Sequence, residues 1–319
     1  MDDRITYNSI SVHPRQINVY YQFLNPGRPA GTTGIRPPQF DNNAHKGKIS
    51  PTAYKKITRA IDYLVYMAQP KKLPHTYHGK GLQFKLSFIT LTLSSAQVHT
   101  DQEIKSHLLN QFLIEMQTKW KVNNYVWRAE KQVNGNLHFH IVCDKFIHWN
   151  DIRNTWNRIQ QKFGYVTRYR ENRLLWHREG FQFDKKLAPK WNYKSQLKAY
   201  KEGLRSDWQS PNSTDIHAIR RISKVNAYFK KYLTKQCENV EVSGRLWGCS
   251  YSLTNITGAR TDLWSKLEDE LKVIRECKYT RIVKEKWFTV FYIDMDYIEQ
   301  MGLLHMPTLF NSYIKDNFP

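Results

Sequence analysis

The sequence is poor in acidic residues: its 319 positions hold 28 Asp and Glu against 49 Lys and Arg, a formal net charge of +21. That deficit sets it apart from the near-neutral balance of most metabolic enzymes and points to a polyanionic partner, nucleic acid first. Cysteine is scarce too. Cys143, Cys237, Cys249 and Cys277 are widely scattered, without the close pair that a structural zinc site or a redox motif needs, which fits a reducing compartment. No apolar run approaches the roughly 18 residues that span a bilayer, and the opening MDDRITYNSI has no basic leader followed by an apolar run. These absences lead us to expect a soluble, cytoplasmic protein with no membrane partner. No GxxxxGK[ST] phosphate-binding loop and no internal repeat occur, so neither a fused helicase motor nor a nucleotide cofactor is expected. What the chain does have is aromatic side chains, 14% of the total, which can stack on bases.

Residues 1–49 are rich in Pro, Gly, Asn and basic side chains without helical or strand period, and read as an extended N-terminal arm. SPTAYKKITRAIDYLVYMA then opens with Ser50 at an N-cap and Pro51 at the first helical position, predicting a helix to about Ala68. LQFKLSFITLTLSS alternates as a half-buried strand, and DQEIKSHLLNQFLIEMQTKWK returns to helical period. NYVWRAEKQV and NLHFHIVC predict two strands joined by an Asn-Gly turn, and WNDIRNTWNRIQQKF a further amphipathic helix. This order implies an α+β fold, a sheet with helices packed on one face. We divide the chain into the arm at 1–49, a catalytic core at 50–236 and a C-terminal accessory segment at 237–319. Within the core, about 164–210 forms a basic insertion. There Arg168, Arg170, Arg173, Lys185, Lys186 and Lys190 stand among Tyr, Trp and Phe, a mixture suited to neutralising phosphates while stacking bases. A final helix is predicted from roughly Ile219 to Gln236.

Two constellations carry chemistry. His138 and His140 stand two apart in a predicted strand, so both imidazoles leave the same face and can share one ion. Glu130 can join them only if the hairpin register is odd. A two- or four-residue loop centred on Asn134 and Gly135 would turn Glu130 to the wrong side, whereas a three-residue loop or a bulge brings it beside His138 or His140. Two imidazoles and one carboxylate leave coordination positions for phosphate oxygens and water, favouring Mg²⁺ or Mn²⁺, although the same set takes Zn²⁺ or Fe²⁺ in other folds. The second constellation is RISKVNAYFKKYLTKQ. At about 100° per residue, Tyr228, Lys231, Tyr232 and Lys235 share one helix face beside an apolar stripe of Ile222, Val225, Phe229 and Leu233. A phenol with an unperturbed pKa of about 10 attacks only with help from a polarised phosphate and nearby cations.

FITLTL (Phe88 to Leu93), HFH (His138 to His140) and YFKKYLTK (Tyr228 to Lys235), in that order, resemble the three motifs of the HUH endonucleases. More narrowly, they resemble those of the two-tyrosine rolling-circle replication initiators of small single-stranded DNA phages and related plasmids. The resemblance spans about residues 83 to 236. It implies a central antiparallel sheet carrying the metal histidines, with the tyrosine helix beside it. It also implies that His138, His140 and Glu130 bind Mn²⁺ or Mg²⁺, that Tyr228 and Tyr232 are nucleophiles, and that Lys235, with Lys231, steadies phosphate charge. The implied activity is nicking of single-stranded origin DNA, with a covalent 5′-phosphotyrosine link, a free 3′ hydroxyl for priming, and later strand rejoining. A host helicase and polymerase would be partners, and the host cytoplasm the location. The same motifs serve HUH transposases and plasmid relaxases. Charge and aromatics alone would also suit a noncatalytic single-stranded nucleic-acid binding protein.

Overall fold

A computed structural model describes residues 6–23, 47–68, 71–73, 82–219, 241–285 and 288–318. The elements begin with β1 (Thr6–His13), β2 (Gln16–Phe23), α1 (Pro51–Met67), β3 (Lys71–Leu73), β4 (Leu82–Phe84) and β5 (Leu86–Thr92). A helix in three parts follows, Asp101–Glu103, a π-helical Ile104–Leu109 and Asn110–Thr118, together α2. Next come β6 (Tyr125–Lys131), β7 (Leu137–Cys143), α3 (Trp149–Gln161), α4 (Tyr165–Trp176), α5 (Tyr193–Arg205), β8 (Thr214–Ile219) and β9 (Trp247–Cys249). The chain closes with β10 (Ala259–Asp262), α6 (Ser265–Glu276), β11 (Arg281–Lys284), β12 (Phe288–Tyr292), α7 (Met295–Gln300) and α8 (His305–Asn317). These elements cluster into two compact units. Among the described residues no helix is long and apolar enough to cross a membrane.

One unit contains the central sheet, five antiparallel strands in the order β8-β5-β7-β6-β9. Period-two alternation sends Ile89, Leu91, Phe139, Ile141, Trp127 and Ala129 to one face, where they form a single core with Ile104, Leu108 and Phe112 of α2 and Ile152, Trp156 and Ile159 of α3. Burial of each such large apolar side chain contributes roughly 1.5–3 kcal/mol. Trp156 satisfies its indole N–H on the Thr92 carbonyl at 2.8 Å. The start of α2 is fixed by a capping box: the Glu103 amide donates to Thr100 Oγ1 (3.2 Å) and the Thr100 amide to the Glu103 carboxylate (2.8 Å). Buried Asp101 accepts from Lys131 Nζ at 2.6 Å and from the Ser243 amide at 3.0 Å. Lys105, on the π-helical turn, donates to the carbonyls of Ser243 and Arg245. These bonds seat the segment that leads into β9.

The other unit corrects the expected extended arm. Residues 6–23 form an antiparallel hairpin at the centre of a second five-stranded sheet, β10-β1-β2-β12-β11. Ile10, Val12, Ile17 and Val19 are buried. The strands that flank the hairpin come from the supposed accessory segment, so 259–262 and 288–292 build one sheet with the N-terminus. Residues 58–67 of α1, assigned to the catalytic core by sequence, group with this sheet instead. Tyr63 of α1 donates toward or accepts from His13 Nδ1 at 3.0 Å and packs edge-on against Phe310 of α8. Glu270 of α6 caps α8, its buried carboxylate accepting from the amides of Leu304, His305 and Met306 at 2.7–2.9 Å. The helix expected from roughly Ile219 is corrected at its first residue, which ends β8; the rest of it lies outside the described residues.

Candidate metal centre and nucleic-acid interface

The β6–β7 hairpin has the register that the site demands. Glu130 faces His138 and Lys131 faces Leu137. Beyond them the Gln132 amide donates to the Asn136 carbonyl, leaving Val133, Asn134 and Gly135 as a three-residue loop. Gly135 has φ +83°, the left-handed residue that such a loop requires at its end. Asn136 pins the tip: its side-chain N–H donates to Ser95 O at 2.9 Å and its side-chain oxygen accepts from the Gln97 amide at 2.8 Å. Asn136 and Gln97, whose side-chain oxygen also accepts from the Leu137 amide, therefore fix the loop against the end of β5.

Glu130, His138 and His140 consequently share the sheet face opposite the helical core, with one ligand atom from each lying within 4.8 Å of the others. The Glu130 carboxylate is 2.7 Å from His140 Nε2. Two threonines of β5 stand behind the imidazoles. Thr92, the register partner of His138, places its hydroxyl 3.0 Å from His138 Nδ1, and Thr90 places its own 3.4 Å from His140 Nδ1. Gln132 also reaches His138 Nδ1, at 3.1 Å. Phe88 stacks on the His140 ring. With the Nδ1 sides engaged, the Nε2 sides are left for a cation, and hydrogen bonds of this kind fix the orientation of metal-binding histidines.

The electrostatics suit a cation. Burial, with the charge of neighbouring His140, lowers His138 to about 4, against a partial opposing pull from Glu130, so its ring is neutral near pH 7. Burial alone would raise the Glu130 carboxyl. The hydrogen bond and charge of His140, joined by His138 and Arg128, outweigh it and hold Glu130 below its ordinary value. An ionised carboxylate beside a neutral imidazole is the protonation state that a divalent ion needs, so the three residues fit one.

Sequence reasoning missed Thr90 and Thr92 as parts of the site. The signal was present, since FITLTL places both hydroxyls on one strand face, but only the cross-strand pairing shows which imidazole each meets. The residues expected to touch DNA fall into three groups. Arg168 lies over the Tyr165 ring and donates to Phe163 O at 2.8 Å. Arg170 forms a two-point ion pair with Asp207, at 2.9 and 3.0 Å. Arg173 lies over Tyr169 and lines a cavity between α4 and α5. Lys185, Lys186 and Lys190 are exposed on the turns that precede α5. Tyr228, Lys231, Tyr232 and Lys235 lie outside the described residues.

An antiparallel sheet with helices on one face and a His-x-His strand with a neighbouring carboxylate on the other defines the HUH endonuclease class of α+β fold. Residues 86–237, just under half of the chain, match the model of a family described as replication-associated protein, ORF2 or gene II protein. It is a rolling-circle initiator family, which bears out the resemblance drawn from the three motifs. No curated protein and no solved structure matches the chain.

Proposed function

We propose that this protein is a replication initiator that nicks single-stranded origin DNA through tyrosine attack and later rejoins the strand. The observation that carries this reading is the convergence of Glu130, His138 and His140 on the open face of the sheet, within a segment matching a replication-associated family. A bound Mn²⁺ or Mg²⁺ would supply Lewis-acid polarisation of the scissile phosphate. The two imidazoles and the carboxylate hold that cation, with Thr90 and Thr92 orienting the rings.

The Tyr232 hydroxyl gives up its proton and forms a bond to phosphorus as the bond to the 3′ oxygen breaks. The new 5′ end stays on the enzyme as a phosphotyrosine, and the 3′ oxygen leaves as a hydroxyl for a host helicase and polymerase to use. Tyr228, one helical turn away, attacks in the second transfer, after one round of synthesis, and allows the circle to close. Lys231 and Lys235 offset charge on the transferring phosphate.

Incubation with an origin-derived oligonucleotide library and Mn²⁺, followed by mass spectrometry of covalent adduct peptides, tests this. Tyr232→Phe should lose most first-round adduct, whereas Tyr228→Phe should nick but fail to complete strand transfer. DNA chiefly on Tyr228 after the first nick reverses the order, and DNA on neither tyrosine defeats the mechanism.

A further inference from the structure

The basic insertion builds a cavity of about 580 Å³, within the range of small-ligand sites. Its walls include Tyr169, Arg173, His177, Phe181, Tyr200 and Trp208, and it reaches Thr92 at the end of β5. Trp208 is 5% exposed, yet its indole N–H has no hydrogen-bond partner. A buried donor without an acceptor is costly and marks a place where a ligand atom can accept.

The cavity is held open by unusual means. Asp207 and Trp208 both have left-handed φ, +47° and +56°, a conformation that bulky L residues rarely adopt. Arg170 holds Asp207 through its two-point ion pair, and the Trp208 amide donates to Gly203 O at 2.8 Å. A Cβ at Gly203 would lie 2.2 Å from the Trp208 ring, so the glycine in the middle of α5 makes room for the indole. His177 stacks parallel to that indole, with ring centroids 5.3 Å apart. Strain of this kind persists only where the surroundings enforce it, and it gathers at ligand sites.

We infer that this cavity receives one unstacked nucleobase from the DNA strand held at the metal centre. Aromatic faces stack on any base, the Trp208 N–H meets a base acceptor, and Arg173 and Arg153 line the cavity where flanking phosphates would pass. Thr92 belongs to this wall and also bonds His138, and a neighbouring cavity along Thr90 and Trp149 shares Thr92, Arg153 and Asn212 with it. A strand with its phosphate at the histidines therefore has an adjoining nucleotide beside the aromatic wall. The base would be read, or its neighbour positioned, by a part of the chain outside the three shared motifs.

This inference rests on the reading of the protein as an enzyme of single-stranded DNA, but its test does not require cleavage. Fluorescence anisotropy with the full chain would compare a labelled oligothymidylate with an abasic oligomer of equal length at one salt concentration. The wild type should prefer the base-bearing oligomer about tenfold, the contribution of one stacked base. Trp208→Phe and Tyr200→Leu should each cut that preference to about threefold or less while leaving the salt dependence unchanged. Because Trp208→Phe could perturb a strained segment, photocrosslinking of the wild type to a 5-iodouracil oligomer gives an independent readout, with crosslinks expected between His177 and Trp208. A preference unchanged in both variants, or crosslinks only outside the insertion, overturns the base pocket. Loss of base preference in these variants without any phosphotyrosine adduct would keep the pocket and sink the nicking mechanism; adducts with an unaltered preference would do the reverse.

Discussion

Divalent metal should stabilise the unit that carries the central sheet, and the size of the effect follows from its ligands. A cation that binds only the folded state at a concentration of 100 times its Kd adds about 2.7 kcal/mol. For a unit of this size each kcal/mol moves Tm by about 2–4 °C, so saturating Mn²⁺ should raise the melting temperature by about 5–11 °C. The arrangement predicts who carries that shift. His138, His140 and Glu130 are the protein ligands, and losing one should weaken binding at least about 100-fold, which at the same Mn²⁺ concentration leaves only about 0.4 kcal/mol, or about 1–2 °C. Thr92 touches the metal ligand rather than the metal, through the 3.0 Å contact to His138 Nδ1. Thr92→Val, which keeps shape but removes the hydroxyl, should cost about 10–100-fold in affinity and so leave an intermediate shift. Differential scanning fluorimetry across a Mn²⁺ titration, with isothermal calorimetry for Kd, would read all of these proteins. An unmoved wild-type transition at millimolar Mn²⁺ would refute the metal centre. Equal shifts in wild type and His138→Ala would place the ion elsewhere.

Replacing Lys185, Lys186 and Lys190 together by Gln should flatten the dependence of single-stranded DNA affinity on salt by about 2 in log–log slope, since each lost phosphate contact removes about 0.7; an unchanged slope moves the strand away from the turns before α5. His13, buried between Ser11 and Tyr63 and near the charges of Arg59 and Arg260, has its pKa lowered to about 3. Its unfolded form protonates near 6.5 and its folded form does not, so the stability it contributes is present above about 6.5 and is lost as pH falls toward 3, approaching about 1.4 kcal/mol per pH unit. Denaturant titrations of wild type and His13→Gln at several pH values should show that difference, and parallel curves would disprove it. Asp101→Ala should destabilise by about 3–5 kcal/mol, because it leaves the Lys131 ammonium unpaired and buried. A loss under about 1 kcal/mol would mean the pair is solvated in solution.

How much of this was legible in the sequence depended on how far apart the partners lie. The metal centre was readable because its three ligands come from one hairpin, between Glu130 and His140, where strand period and turn length together decide which side chains share a face. The requirement for an odd loop followed from counting, and the pairing of Glu130 with His138 meets it. The helices that cover the sheet announced themselves by period as well. The second sheet did not: SISVH and QINVY are short and set among Pro, Gly and basic residues, and their neighbours Ala259–Asp262 and Phe288–Tyr292 are more than half the chain away. A hairpin of two strands is marginal in isolation, so local preference gives no sign of the strands that complete it.

The insertion shows a different limit. Its composition gave the right kind of partner, but not which cations were free for it, because Arg170 is engaged by Asp207 across a gap of helix and turn. Nor did any pattern mark Trp208, whose left-handed backbone runs against its own preference. Local rules describe what a residue favours, and Trp208 is informative because it does the opposite. A chain that enforces a disfavoured conformation, removes a Cβ at Gly203 to fit it and leaves a buried N–H without an acceptor carries three unfavourable features in one place. Stability alone would select against each of them, so their coincidence is better explained by something that binds there.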